Sequence, residues 1–390
     1  MKFKKNIWGD WIGKIGKLEM FFALCPILQG FNLGGFPLSL IVWILMLLVI
    51  FVRGYKIRLD TYKPLLMLVI YWLLHTIVVA LQDNVNTNAM IAQVIYFLAI
   101  FSVYPLLNIE KLRRALNIVC IIVMAGLLYQ WMEIMITGGT HPLEIIGLQM
   151  SKERLETLSV RPSSFFMEPA AYAEFMLLPI ALALMDKRII WAIILILSVF
   201  FTSSTTGIVT CFLMLGAWTF MQKKRKALIV IPLIAIGLIY ALNHFSVFEV
   251  GVDKLNNTDV ETNVRLTQGE YVVGTMEGAE YIFGVPYSSA YNYCKSGRAT
   301  NVIYYGEAVY MPTFWNLILL YGLVGLFLYL MTLFNLLKMC KQLFPLITSL
   351  IITMYSGGMG LTSSFVYCMI FMLVVGTDYS KNQICSKKNI

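Results

Sequence analysis

The chain has 390 residues, of which 59% are hydrophobic and only 13% are charged. Soluble globular domains are about 45–50% apolar and about 25% charged, so this composition excludes an ordinary soluble domain and predicts that lipid covers much of the surface. The formal net charge is +9, but the basic residues fall in short clusters between apolar stretches. This distribution is typical of a membrane protein and argues against nucleic-acid binding.

Apolar runs of membrane-spanning length follow one another along the chain and predict an all-α polytopic fold with about twelve transmembrane helices. The first run contains Pro26 and three glycines, which predict a broken or partly interfacial segment. A tight turn is predicted over Ser203–Gly207, between two short runs. The runs lie near 18–36, 38–52, 64–82, 89–107, 115–137, 167–185, 189–203, 206–221, 227–243, 308–337, 343–357 and 360–377.

The distribution of basic residues predicts the orientation of these helices. With the N-terminus in the cytoplasm, 23 of the 30 Lys and Arg residues fall on inner segments, and the other seven fall in two long outer loops. We call these loop 1, at about 138–166, and loop 2, at about 244–306. The positive-inside bias predicts that both termini are cytoplasmic and that residues 1–390 form a single integral membrane domain. The basic N-terminus is predicted to be a retained end, because no cleavage site follows it.

The densest group of polar residues lies at the end of loop 1. Pro169 suits the first turn of a helix, which places Glu168 at the helix cap. Arg161 lies just before it, and an arginine beside an open helix N-terminus suits a phosphate or diphosphate ligand. Glu174 lies more than one turn inside the helix, where a carboxylate is costly and usually functional. Alternatively, Arg161 anchors lipid headgroups and Glu168 only caps the helix.

Loop 2 and the histidines supply the remaining candidates. Arg265 and Arg298 lie in loop 2, where an isolated arginine is more often simply solvated. His141, His244 and Glu133 are candidate general bases near outer helix ends, although an interfacial polar role is the simpler interpretation of both histidines. His75 lies within an apolar run and is predicted to be a hydrogen-bonded structural residue. No metal-ligand motif or CxxC pair occurs, so neither a metal nor a cofactor is predicted.

Three local patterns resemble the bacterial polysaccharide repeat-unit polymerases (Wzy-like) and the related O-antigen ligases, which are membrane glycosyltransferases of the GT-C type. The segment from Arg161 to Pro169 is similar to the family's Arg-x-x-(Ser/Gly)-x-Phe-x-Glu-Pro pattern. Thr202 to Gly207 resembles an outer Ser/Thr-Gly turn. Asn316 to Gly325 resembles the helix that closes the large outer loop. The order of apolar runs, with one large extracytoplasmic loop before the last helices, agrees along most of the chain.

The resemblance implies a polymerase in the bacterial cytoplasmic membrane. Its substrates would be undecaprenyl-diphosphate-linked oligosaccharides within membrane lipid, and a chain-length regulator is a candidate partner. By position, Arg161 and Arg265 would hold the lipid diphosphate, and Glu168 would position Arg161 or act as the base. The further candidates for substrate binding are Glu174, Tyr172, Arg298 and His141.

Three alternatives stay open from the sequence. An O-antigen ligase is less favoured, because many ligases have a His-Asn pair where this chain has Tyr310–Thr313. A flippase or exporter of the same lipid-linked sugar would usually carry charges in the middle of the membrane, and the apolar runs here are nearly free of charge. A membrane O-acyltransferase acting on surface glycans would require a catalytic histidine near a helix end.

Overall fold

The computed structural model describes residues 16–33, 36–52, 62–82, 87–150, 159–222, 264–305, 308–309, 311–356 and 363–388. The predicted helix at 227–243, the first part of loop 2 and His244 lie outside these ranges. Fourteen α-helices occur in the described ranges: α1 Lys17–Leu28, α2 Leu38–Val52, α3 Lys63–Leu81, α4 Thr87–Val103, α5 Ile109–Thr137, α6 Pro169–Met185, α7 Ile189–Phe200, α8 Thr205–Met221, α9 Val264–Gly274, α10 Glu280–Phe283, α11 Ala290–Tyr293, α12 Thr313–Met339, α13 Phe344–Ser356 and α14 Ser363–Lys388.

Three of these helices, α3, α5 and α12, are long and apolar enough to cross a membrane. Several others are apolar but shorter, with 10–17 residues in each apolar stretch. The prediction of an all-α fold with long apolar helices is therefore confirmed for the described part of the chain. The number of about twelve spans, the GT-C-like arrangement and the orientation stay predictions.

The structure differs from the predicted runs most informatively in the first run and at the start of α5. The first apolar run does not continue to residue 36, because α1 ends at Leu28 and two short antiparallel strands follow, β1 at Phe31–Leu33 and β2 at Phe36–Pro37. A third strand, β3 at Gln149–Met150 in loop 1, pairs with the other edge of β1. Helix α5 begins at Ile109, six residues before the predicted run, since Asn108 caps it by accepting hydrogen bonds from two backbone N–H groups of the first turn.

The chain divides into two compact units. Unit 1 comprises Met1–Ile57, Ala99–Thr202 and Val366–Ile390. Within it, the residues of α14 from Val366 to Val375 are all buried, as expected of a helix that is apolar on every side. The Asp186 carboxylate, at the end of α6, links three helices of this unit: it accepts hydrogen bonds from Arg113 on α5 at 2.9 Å and from the Tyr379 hydroxyl on α14 at 3.0 Å.

Unit 2 comprises Arg58–Leu98 and Ser203–Phe365. Within it α3 packs along α12, and α8 packs along α13. The described part of loop 2 contains α9, α10 and α11, followed by a two-stranded pair of β4 (Tyr304–Tyr305) and β5 (Ala308–Val309). Its apolar side chains form a core with the first turns of α12. Loop 2 is therefore folded against the helix that follows it.

Candidate functional site

Helix α6 begins at Pro169, as the sequence predicted. Glu168 is the N-cap residue in extended conformation, and its carboxylate makes no capping hydrogen bond to the helix. The carboxylate is thus not used to satisfy the first turn. Glu174 lies five residues beyond Pro169 and is partly buried. Both acidic residues belong to the helix start that follows Arg161.

One side chain of α5, Gln130, organises the segment that precedes α6. Its amide oxygen accepts hydrogen bonds from the backbone N–H groups of Ser163 and Ser164, at 3.0 and 2.6 Å. Its amide nitrogen donates to the His141 carbonyl at 2.5 Å. Gln130 is fully buried, and hydrogen bonds of this kind are costly to leave unmade in an apolar environment. A single amide therefore holds both ends of loop 1 at the end of α5.

The backbone at Ser164 is unusual for a residue with a side chain. Its φ is +55°, in the left-handed region, and the residue is completely buried. The space for its hydroxyl comes from Gly126 on α5, since a Cβ at that position would lie 2.6 Å from Ser164 Oγ and 2.8 Å from Leu143 Cδ1. Glycine at position 126 therefore lets loop 1 approach α5 closely, since a larger residue would force the Ser164 and Leu143 side chains to move.

Two candidate bases of unit 1 lie on segments that neighbour the Arg161 segment. Thr140 pairs with Ser159 through reciprocal backbone hydrogen bonds of 2.8 and 2.9 Å, and the Thr140 hydroxyl donates to the Glu133 carboxylate. Arg161 follows on the same segment as Ser159, and its backbone N–H donates to Ser159 Oγ at 3.0 Å. His141 follows Thr140, and its buried Nδ1 atom has no hydrogen-bond partner in the described part of the chain. The fold thus places Glu133, His141 and Arg161 on neighbouring segments.

The predicted substrate ligand Tyr172 lies in the core of unit 1. Its side chain is fully buried, and its ring packs edge-on against Phe166 with the ring centres 5.6 Å apart. Phe166 belongs to the same short segment as Arg161. Tyr172 therefore supports the conformation of this segment, and direct contact with substrate stays a prediction.

The two loop 2 arginines lie in unit 2. Arg265 is the second residue of α9. Arg298 donates to the Glu280 carboxylate at 2.9 Å, and its guanidinium lies 5.6 Å from the centre of the Tyr293 ring. Arg298 is therefore engaged within the protein, and its predicted substrate contact would require it to leave Glu280 or to use another face of the guanidinium. The pairing of Arg265 with Arg161 stays a prediction.

Sequence reasoning missed Gln130 and Tyr71, both polar residues within long apolar helices. The Tyr71 hydroxyl on α3 lies 2.8 Å from the Phe283 carbonyl and 2.9 Å from the Tyr321 carbonyl. His75, predicted to be a hydrogen-bonded structural residue, has its Nε2 atom 3.0 Å from the Val285 carbonyl. These residues could have been noticed in the sequence, because a polar group inside an apolar helix is costly and therefore indicates a specific partner.

In the described ranges, no group of three or more His, Cys, Asp and Glu side chains could hold a metal ion.

No protein-family model matches the chain, and no curated protein matches it.

Proposed function

We propose that this protein is a polysaccharide repeat-unit polymerase of the bacterial cytoplasmic membrane. It would transfer a glycan from undecaprenyl diphosphate to the terminal sugar of a second lipid-linked repeat unit, on the outer face of the membrane. The observation that carries the proposal is the Gln130 contact, which holds the Arg161 segment beside His141 at the end of α5. The two segments that carry a basic group for the leaving diphosphate and a candidate base for the acceptor are thereby held next to each other.

The proposed reaction makes one bond and breaks one. The acceptor hydroxyl oxygen attacks the anomeric carbon of the donor sugar, and the bond from that carbon to the diphosphate oxygen breaks. Negative charge accumulates on the departing diphosphate, where Arg161 and Arg265 would stabilise it. The hydroxyl proton passes to a base, for which Glu168, Glu133 and His141 are candidates.

The location of the polar residues supports an enzyme over a transporter. Arg161, His141 and Glu133 lie at the end of α5 and in loop 1, beyond the apolar middle of the helix. A carrier of the same lipid-linked sugar would place charged groups along a pathway through the membrane. In the proposed orientation, both loops face outside, both termini are cytoplasmic, and the substrate is already across the membrane when it reaches the site.

Deletion of the gene tests the proposal and separates it from transport. Loss of a polymerase should leave single repeat units that still reach the outer face. The surface should then carry one unit per anchor and lack polymers of greater length. Loss of a flippase should instead trap lipid-linked units on the inner face. Accumulation of unflipped units with a bare surface would overturn the proposal. Purified protein in liposomes should also lengthen lipid-linked repeat units without nucleotide sugar.

A further inference from the structure

Helix α12 is broken within the apolar run, at Gly322. The residue has φ +64° and ψ −172°, which is not a helical conformation. In an unbroken helix the Leu319 carbonyl would accept from the N–H four residues later. Here it accepts a hydrogen bond of 2.8 Å from the N–H of Val285, in loop 2. The break is therefore filled by a segment from another part of the chain.

Two glycines allow the segment and the broken helix to touch through their backbones. Gly284 has φ +87°, and a Cβ on it would lie 2.7 Å from the Tyr321 nitrogen. A Cβ on Gly322 would lie 2.6 Å from the Gly284 nitrogen. Real side chains do not tolerate such distances to backbone atoms, so this contact requires glycine on both sides.

The contact between the loop 2 segment and α12 lies at the level of the middle of α3, a predicted transmembrane helix. Tyr71 is the ninth residue of the 19-residue helix α3, which places its Cα about 12 Å from one end and about 15 Å from the other at 1.5 Å per residue. Its hydroxyl reaches the Phe283 carbonyl, and His75, one turn further along, reaches the Val285 carbonyl. Residues 283–285 therefore lie level with the middle turns of α3.

Several backbone groups of this segment have hydrogen-bond partners, as entry into hydrocarbon requires. The carbonyls of Phe283 and Val285 contact α3, and the N–H of Val285 bonds to α12. The N–H of Gly284 donates to the Glu280 carbonyl at 2.7 Å. The Glu280 carboxylate, at the start of the segment, is paired with Arg298.

The outward side chains of the segment are apolar. Tyr281, Ile282 and Phe283 are 37%, 47% and 56% exposed. Exposed apolar residues also neighbour the contact on both helices: Leu74 lies one turn from Tyr71, and Leu323 directly follows Gly322. Apolar groups exposed at the level of a membrane span are expected to face lipid, whereas a patch in water would be costly.

We propose that residues 280–285 form a re-entrant segment, which enters the membrane from the side of loop 2 and contacts the acyl chains of the bilayer through Tyr281, Ile282 and Phe283. The segment fills the break in α12, and its Val285 N–H supplies a partner for the Leu319 carbonyl. This inference rests on the helices of unit 2 and not on the proposed enzymatic activity.

Site-directed spin labelling in liposomes tests the proposal. A nitroxide at Phe283→Cys should collide with oxygen, which concentrates in hydrocarbon, much more than with a water-soluble nickel chelate. A label at Leu74→Cys, on the lipid-facing side of α3, should behave in the same way. A label at Glu277→Cys, 84% exposed at its side chain, should show the reverse preference. Cys385→Ser is included as background in all variants.

The second position, Ile282→Cys, keeps the test valid if the Phe283 variant does not fold. Equal or greater collision of both labels with the nickel chelate would place the segment in water and overturn the proposal. If neither oxygen nor the nickel chelate collided with the two labels, the proposal would also be overturned, because protein and not lipid would then cover these side chains.

Discussion

The side-chain oxygen of Gln130 lies 2.6 Å from the backbone nitrogen of Ser164, and it accepts a second hydrogen bond from Ser163. Replacing Gln130 with Leu keeps the size of the side chain but leaves these N–H groups and the His141 carbonyl without their partner. Each unsatisfied buried group costs about 1–3 kcal/mol. We expect lower thermal stability of the purified protein and at least a tenfold loss of polymerisation rate.

Two further variants sharpen this test. Gln130→Glu keeps the acceptor oxygens but sets a carboxylate against the His141 carbonyl in a fully buried position, so it should also lower stability and rate. Gln222→Leu changes an exposed glutamine at the end of α8 and should leave stability and rate unchanged. Unaltered activity of Gln130→Leu would mean that the position of the Arg161 segment does not matter for function.

The start of α6 could be predicted from the sequence because proline at the first helical position is a local signal. The turn predicted over Ser203–Gly207 ends earlier than expected, since α8 begins at Thr205 and Ser204 caps it by accepting a hydrogen bond from the Gly207 N–H at 3.3 Å. The Gln130 contact joins residues more than thirty positions apart. The break at Gly322 depends on Gly284, which lies in another element. Neither contact leaves a local pattern, because the partner is supplied only by the tertiary fold.

Arg161 is expected to be the most sensitive position in loop 1. Arg161→Ala should lower the rate of polymerisation by about 10²–10³, the usual cost of losing one preorganised donor to developing negative charge. Arg161→Lys should restore little of this, since an ammonium group lacks the planar pair of donors. The rate is measured with purified protein and lipid-linked repeat units at equal expression.

The matched control for this series is Arg188→Ala. Arg188 is an exposed arginine at the start of α7, on a predicted inner connection. Its loss should not change the rate. Near-normal polymer from Arg161→Ala would remove Arg161 from the diphosphate site.

Two neutral variants separate the role of Arg298 from that of its ion-pair partner Glu280. The ion pair is partly exposed, with 32% and 21% of the two side chains accessible, so its contribution to stability should be about 1 kcal/mol or less. If Arg298 binds substrate, Arg298→Gln should lower the rate at least tenfold, whereas Glu280→Gln should change it less than twofold. Equal effects of the two variants on rate and stability would indicate that the ion pair is only structural.

Gly322→Ala should destabilise unit 2. An alanine in this backbone conformation is strained by about 1–3 kcal/mol, and its methyl group would also displace the loop 2 segment. We expect the melting temperature to fall by several degrees in detergent. Gly216→Ala is the control, since a Cβ at this helical position would meet nothing within 4 Å, and alanine favours helix. A melting temperature of Gly322→Ala equal to that of the control would contradict the described break.

The last prediction concerns Cys294 and the orientation of loop 2. Burial raises the pKa of the Cys294 thiol to about 11, so at pH 8 roughly one thiol in 10³ is ionised, compared with about one in four for a free cysteine. Its reaction with a membrane-impermeant maleimide should be slow at pH 7 and should accelerate as pH rises to about 9, because the thiolate is the nucleophile. Thr300→Cys in a Cys294→Ser background places a thiol at an exposed position of the same loop. In intact cells, this variant should be labelled rapidly from outside, as read by mass spectrometry of the labelled peptide. Labelling of Thr300→Cys only after the cells are opened would place loop 2 in the cytoplasm and contradict the proposed orientation.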